Sequence, residues 1–217
     1  MRVNGSVVFT NEELRKLSDD GKPVNILVFD DKNSLDLPQL VKEYLKIGVE
    51  KEISTRYKCT KRKTWFHIPN ISTVPEAFFF KRSHLYPKIL RNDANILVTD
   101  SAYKIEMRDG FEINSLIYSF YNSLSLLFAE LEGRYYGGGV LELTPKEFKK
   151  VSVPYTITSQ EEFQIFTKRF ENKKSIDEIL LFYDFQILNP ALDLTVEDID
   201  RIRGIYKKLI CKRLRKN

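Results

Sequence analysis

The sequence predicts an α+β fold: a mixed sheet with a long packed helix, followed by a small helical subdomain. Three observations carry that expectation. Short apolar runs between polar turns occupy residues 78–107. An apolar stripe of helical period runs through residues 114–133, and capped helical segments follow from Ser159 onward. The division is expected between an α/β core, residues 1–157, and a C-terminal helical subdomain with a basic tail, residues 158–217.

Thr10 and Glu13 fit a capping box, so a short helix starts there and meets Gly21. Residues 24–29 are an apolar, β-branched run of strand length. Residues 37–47 place Leu40, Val41, Tyr44 and Leu45 at helical spacing. Phe78, Phe79 and Phe80, then residues 96–98, read as covered strands, and Tyr103, Ile105 and Met107 alternate onto one face. Tight turns are expected at Asn92-Asp93 and Asp109-Gly110. One long helix is expected from an N-cap at Asn114 to a stop at Gly133. Residues 140–143 form a short strand, and Thr144 with Glu147 and Pro145 opens a capped helix. Helices then start after Ser159, Ser175 and Thr195, with Asn189-Pro190 as a chain break.

At 217 residues, with 42% hydrophobic side chains, fifteen Phe and eleven Tyr, the chain can build a sizeable core. It has no apolar run of membrane-spanning length and no signal-peptide pattern, and it reads as soluble and cytoplasmic. Cys59 and Cys211 form no framework, and with only His67 and His84 no metal site is expected.

The net charge of +5 hides a segregation. Residues 56–91 hold nine Lys/Arg against Glu76, and residues 201–217 hold eight Lys/Arg and no acid. Each block is +8, so the remainder carries 5 − 16 = −11. Two basic blocks on an acidic chain are an electrostatic footprint for a polyanion. In the first block Lys58, Lys61, Arg62 and Lys63 interleave with Tyr57, Trp65 and Phe66. Cations there neutralise phosphates, while aromatic faces can stack on bases. For Trp65 a core position beneath a basic surface is the stronger expectation, set against direct stacking. Downstream, Arg134, Tyr135 and Tyr136 lead into Gly137, Gly138 and Gly139, a run that permits positive φ and close approach of another backbone. A helix ending at Gly133 would hold that loop on a rigid support.

Several of these motifs carry a resemblance. Tyr44-Leu-Lys-Ile-Gly, Arg56-Tyr-Lys-Cys and Arg62-Lys-Thr-Trp-Phe-His-Ile-Pro69 come first, followed by Arg91-Asn92 and Ser123-Leu124. Glu132-Gly-Arg-Tyr-Tyr-Gly-Gly-Gly139 then continues through Leu141-Glu-Leu to Pro154. In that order they resemble the C-terminal target-recognition region of N6-adenine DNA methyltransferases of restriction-modification systems, over roughly residues 40–215. The resemblance implies partnership with double-stranded DNA and with an N-terminal methyltransferase domain or subunit, and no membrane. The Pro-Pro-Tyr/Phe loop that grips a flipped adenine has no counterpart, because the chain contains no Pro-Pro. No cofactor site is therefore expected here, and S-adenosylmethionine is implied only for a catalytic domain outside this stretch.

The resemblance assigns phosphate contacts to Lys58, Lys61, Lys63, Lys81, Lys88, Lys212, Arg213 and Arg215. Base-edge contacts fall to Arg62, Arg134 and the neighbouring loop, with Trp65, Arg82, Tyr135, Tyr136, Gly137 and Gly138 also at the interface. No catalytic residue is expected in this chain. The alternatives are a separate specificity subunit and a protein-interaction domain with incidental basic patches.

Overall fold

The computed structural model describes residues 5–29, 37–69, 71 and 73–215, and it is α+β as expected. The chain divides into two compact units, Met1–Arg15 with Val74–Asn217, and Lys16–Thr73. The helix α1, Asn11–Asp19, carries the chain from the first to the second, and its Thr10–Glu13 capping box forms as expected.

In the larger unit, β1 (Val8–Phe9), β2 (Ala77–Phe80), β4 (Ile89–Asn92) and β5 (Ala102–Ile105) form one sheet in the order β1-β4-β2-β5. The β1–β4 pair is parallel and the other pairs are antiparallel. A second, antiparallel sheet has the order β3-β7-β6, from β3 (Arg82–Ser83), β6 (Arg134–Tyr136) and β7 (Val140–Glu142). Lys81 joins the two sheets: its amide donates to the Ser101 carbonyl, and its own carbonyl accepts from the Leu143 amide.

Two strands expected from apolar runs do not form. Residues 24–29 pair with no strand among the described residues, and Phe29 instead packs edge-on against Phe66. Residues 96–98 are pre-empted by Asn92, whose side chain exchanges hydrogen bonds with both backbone groups of Ile96 and takes them out of any ladder.

The long helix is also two helices, α4 (Ile113–Phe120) and α5 (Ser123–Glu132). Asn114 is not the N-cap. Helix α4 starts after Glu112, and the Asn114 amide instead bridges Arg91 and Gln160. The break lies at Tyr121 and Asn122. The buried Tyr121 hydroxyl hydrogen-bonds both backbone groups of Ile89, and Asn122 caps α5 by accepting from the Ser125 amide. The freed N-terminus of α5 is closed by Asp184, whose carboxylate accepts from the Ser123 amide and hydroxyl and is joined by Arg203. Desolvation raises the Asp184 pKa, and these donors only partly offset it.

Helices α6 (Pro145–Phe148), α7 (Gln160–Asn172), α8 (Ile176–Leu192) and α9 (Val196–Leu214) follow their expected starts. Pro190 does not break the chain. It sits in the last turn of α8, so only Ala191 and Leu192 follow it in the helix, and Asp193 in the left-handed region closes the helix. Phe163, Phe166 and Phe170 of α7 and Ile179, Leu180 and Tyr183 of α8 share one core with Phe79, Phe120 and Tyr121. No single helix among the described residues is long and apolar enough to cross a membrane.

In the smaller unit, α2 (Gln39–Glu50) packs through Gly48 on the Trp65 ring, and α3 (Tyr57–Thr60) precedes the basic segment.

Candidate nucleic-acid interface

The second sheet of the larger unit presents a charged row. Arg82 of β3 and Arg134 of β6 both stand opposite Glu142 of the central strand β7, so all three share one face. The other face carries Leu141 opposite Ser83 and Tyr135, and Leu141 is buried. On the ionic face the Arg82 and Arg134 side chains reach solvent on either side of a Glu142 that is itself buried.

Two carboxylates organise the row. Glu142 accepts from Nε of Arg82 and lies 3.6 Å from Nζ of Lys81. Glu147 accepts from Nε of Arg134 with one oxygen and from the Thr144 amide, at the start of α6, with the other. The Arg82 hydrogen bond holds Glu142 below the usual carboxylate range. Glu147 is also held low, first by the Thr144 amide and then by Arg134. The two arginine side chains remain 66% and 61% exposed. Nε of each is tied to a carboxylate and Arg134 also interacts with Tyr136, and the exposed guanidiniums keep the planar shape that suits phosphate or a guanine edge.

Beside this row the chain passes through residues 136–139. Gly138 has φ +74° and no atom within 4 Å of where a Cβ would stand, which makes the turn both glycine-dependent and open on its outer side. Gly137 is likewise open, whereas Gly139, φ +73°, faces inward onto Leu214. Tyr136 is exposed on the Arg134 face. Tyr135 is half-exposed, but its hydroxyl donates to the Glu130 carbonyl. Gly133 stops the helix as expected, with an ordinary negative φ. It is glycine for closeness, since a Cβ there would lie 2.4 Å from Leu141. The glycine run closes a connection between antiparallel strands, not a parallel strand leading into a helix. It does not fit an S-adenosylmethionine loop.

The expected site residues divide by environment. Lys81, Arg82, Arg134 and Tyr136 are brought together around Glu142 and Glu147. Lys88 is half-buried near the Tyr86 ring, and desolvation lowers its pKa. Lys212 and Arg215 are exposed at the end of α9.

Arg213 is a correction. Its side chain is 1% exposed, paired with the buried Glu130, and cannot serve as a phosphate contact. In the smaller unit, Lys58, Lys61 and Lys63 are exposed, and Lys61 lies 5.6 Å from the centre of the Tyr57 ring. Arg62 is partly buried. Trp65 is likewise partly buried against Gly48 and Phe66, a packed position more than a stacking platform.

Sequence reading missed the cations of α6 and its exit. Lys146 and Lys149 are exposed, and Lys150 pairs with Glu132. The Arg134–Glu147 bond ties this helix to the ionic row. The spacing was visible, but only the β6–α6 contact places these lysines near Arg134.

Searches of curated proteins and of solved structures gave no significant match. A family model described as the C-terminal domain of Type II methyltransferase M.Eco57I matches residues 2–188, most of the chain and the whole of both sheets. The chain belongs to the family of the M.Eco57I Type II methyltransferase C-terminal domain.

Proposed function

We propose that this chain is the sequence-reading, double-stranded-DNA-binding part of an adenine-specific (N6) DNA methyltransferase of a restriction-modification system. The observation that carries the reading is the row Arg82–Glu142–Arg134, in which two exposed guanidiniums are oriented by carboxylates on a short sheet. Arginines buttressed in this way lose little orientational freedom on contact, which favours directional recognition over a diffuse positive charge. Arg82 and Arg134 reach base edges or phosphates, and Lys81, Lys146 and Lys149 supply phosphate contacts beside them. The exposed Lys58, Lys61 and Lys63 of the smaller unit, with Lys212 and Arg215, add further phosphate contacts.

On this reading a catalytic domain or subunit outside these residues binds S-adenosylmethionine and receives the adenine, in the cytoplasm. Gripping the duplex beside the target holds it while that base leaves the stack.

The test is retention of a randomised duplex pool at two salt concentrations, followed by sequencing of the retained DNA. A short enriched motif is the expected result. Salt-sensitive retention without enrichment reduces the role to phosphate grip, and absence of retention at both salts rejects DNA reading by this chain.

A further inference from the structure

Near its C-terminal end, helix α9 carries a buried arginine whose backbone partners lie beside β3 and β7. Every N–H of Arg213 is engaged. Nε and Nη2 donate to the two Glu130 oxygens at 2.8 and 2.7 Å. Nη1 donates to the carbonyls of His84 and Gly139, and Nη2 also reaches the Leu85 carbonyl at 3.3 Å. The acceptors come from three separate segments: helix α5, the connection after β3, and the end of the glycine turn.

That geometry bears directly on the ionic row. His84 follows Ser83 at the end of β3, the strand that presents Arg82. Gly139 precedes Val140 at the start of β7, the strand that presents Glu142. These strands have two and three residues, so their own ladder bonds are few and register needs outside fastening. The same end of α9 also packs closely on this turn: a Cβ on Gly139 would lie 2.9 Å from Leu214 and 3.3 Å from the Arg213 carbonyl.

We infer that Arg213 is a positioning residue for DNA recognition, which fastens the ends of β3 and β7 to α9 and so sets the Arg82–Glu142–Arg134 row. The inference rests on the DNA reading above. Arg213 touches no DNA and acts through the backbone it holds. Lysine cannot replace it, because one ammonium has three donors for five acceptor positions.

The experiment uses the full chain and measures duplex binding for wild type, Arg213→Lys, Gly139→Ala and the double variant Glu130→Met/Arg213→Met. Amide exchange is followed at residues 137–140. Affinity is expected to fall about tenfold, the scale of one lost good contact, in both single variants at a temperature where they remain folded. Exchange at 137–140 accelerates in both, while α7 amides keep their protection. The double variant leaves no unpaired buried charge, so it stays folded, but the carbonyls remain unfastened and its binding stays low. Full affinity in folded Arg213→Lys overturns the inference, as does full affinity in the folded double variant. Failure of the wild type itself to bind DNA rejects the functional reading instead, and the variants are not needed to see it.

Discussion

Arg134 and Arg213 flank the same glycine turn and have opposite environments. Arg134 sits on an edge strand with its Nε on Glu147 and most of its side chain in solvent, and Arg213 is enclosed by Glu130 and three carbonyls. The difference fixes what a substitution does. Arg134→Ala is expected to weaken cognate-site binding more than random-duplex binding, by about 1–3 kcal/mol for a bidentate base contact. Equal losses on the two DNAs would take Arg134 off the base-reading side. Gly48 gives a prediction of another kind. Its missing Cβ is replaced by the Trp65 ring, which would lie 2.4 Å away. Gly48→Ala should therefore destabilise the smaller unit by about 1–3 kcal/mol through overpacking, visible as a lower urea midpoint followed by Trp65 fluorescence. An unchanged midpoint would mean the ring moves aside freely.

At the scale of elements, capping carboxylates recur. Glu162 at the start of α7 and Asp198 at the start of α9 each accept from the cap residue's backbone amide, as Glu147 does at α6. Hydrogen bonds to Ser159 lower the Glu162 pKa, those to Thr195 lower Asp198, and the Thr144 amide leads for Glu147. A carboxylate with a folded pKa below its unfolded value contributes stability above the ordinary carboxylate range, and that stability is lost as pH falls through the folded value. Acid should therefore loosen these helix starts. Glu162→Gln is expected to lower stability at neutral pH and to narrow the gap between neutral and acid urea midpoints; parallel curves for the two proteins would contradict the capping role. These boxes were legible in sequence because a cap and its N3 partner lie three residues apart, and no distant residue is needed to form them. The break at Tyr121 and Asn122 was not legible. The apolar period continues through it, and the hydroxyl of Tyr121 bends the chain only because Ile89 of another strand is there to receive it.

For the whole molecule, the first basic block is split between the two compact units, and the second lies wholly in the larger one. Residues 56–63 lie in Lys16–Thr73, and the α9 cations lie with the sheets. If both contact the duplex, neutralising Lys58, Lys61 and Lys63 together should reduce the slope of log K against log salt by about 2.7, or roughly 0.9 for each lost phosphate contact. Affinity should fall on every sequence alike. A slope unchanged by the triple substitution would confine DNA contact to the larger unit. The charge of the second block is lower in effect than its count, since Arg203 and Arg213 are held by Asp184 and Glu130.

What the sequence determined by itself was local or periodic: the α+β class, the capped starts of α1, α6, α7 and α9, the glycine turn, the segregation of charge and the motif order that resembles a target-recognition region. Tertiary structure decided which cations face outward. Arg82 is 60 residues from Glu142 and joins it and Arg134 only through strand register, which depends on backbone pairing that no side-chain pattern in a two-residue strand can specify. Arg213 reads as one more member of a basic tail until α9 folds back on α5. Only then does burial oblige its guanidinium to find a carboxylate and the free carbonyls around it, because an unpaired charge there would carry the full cost of desolvation.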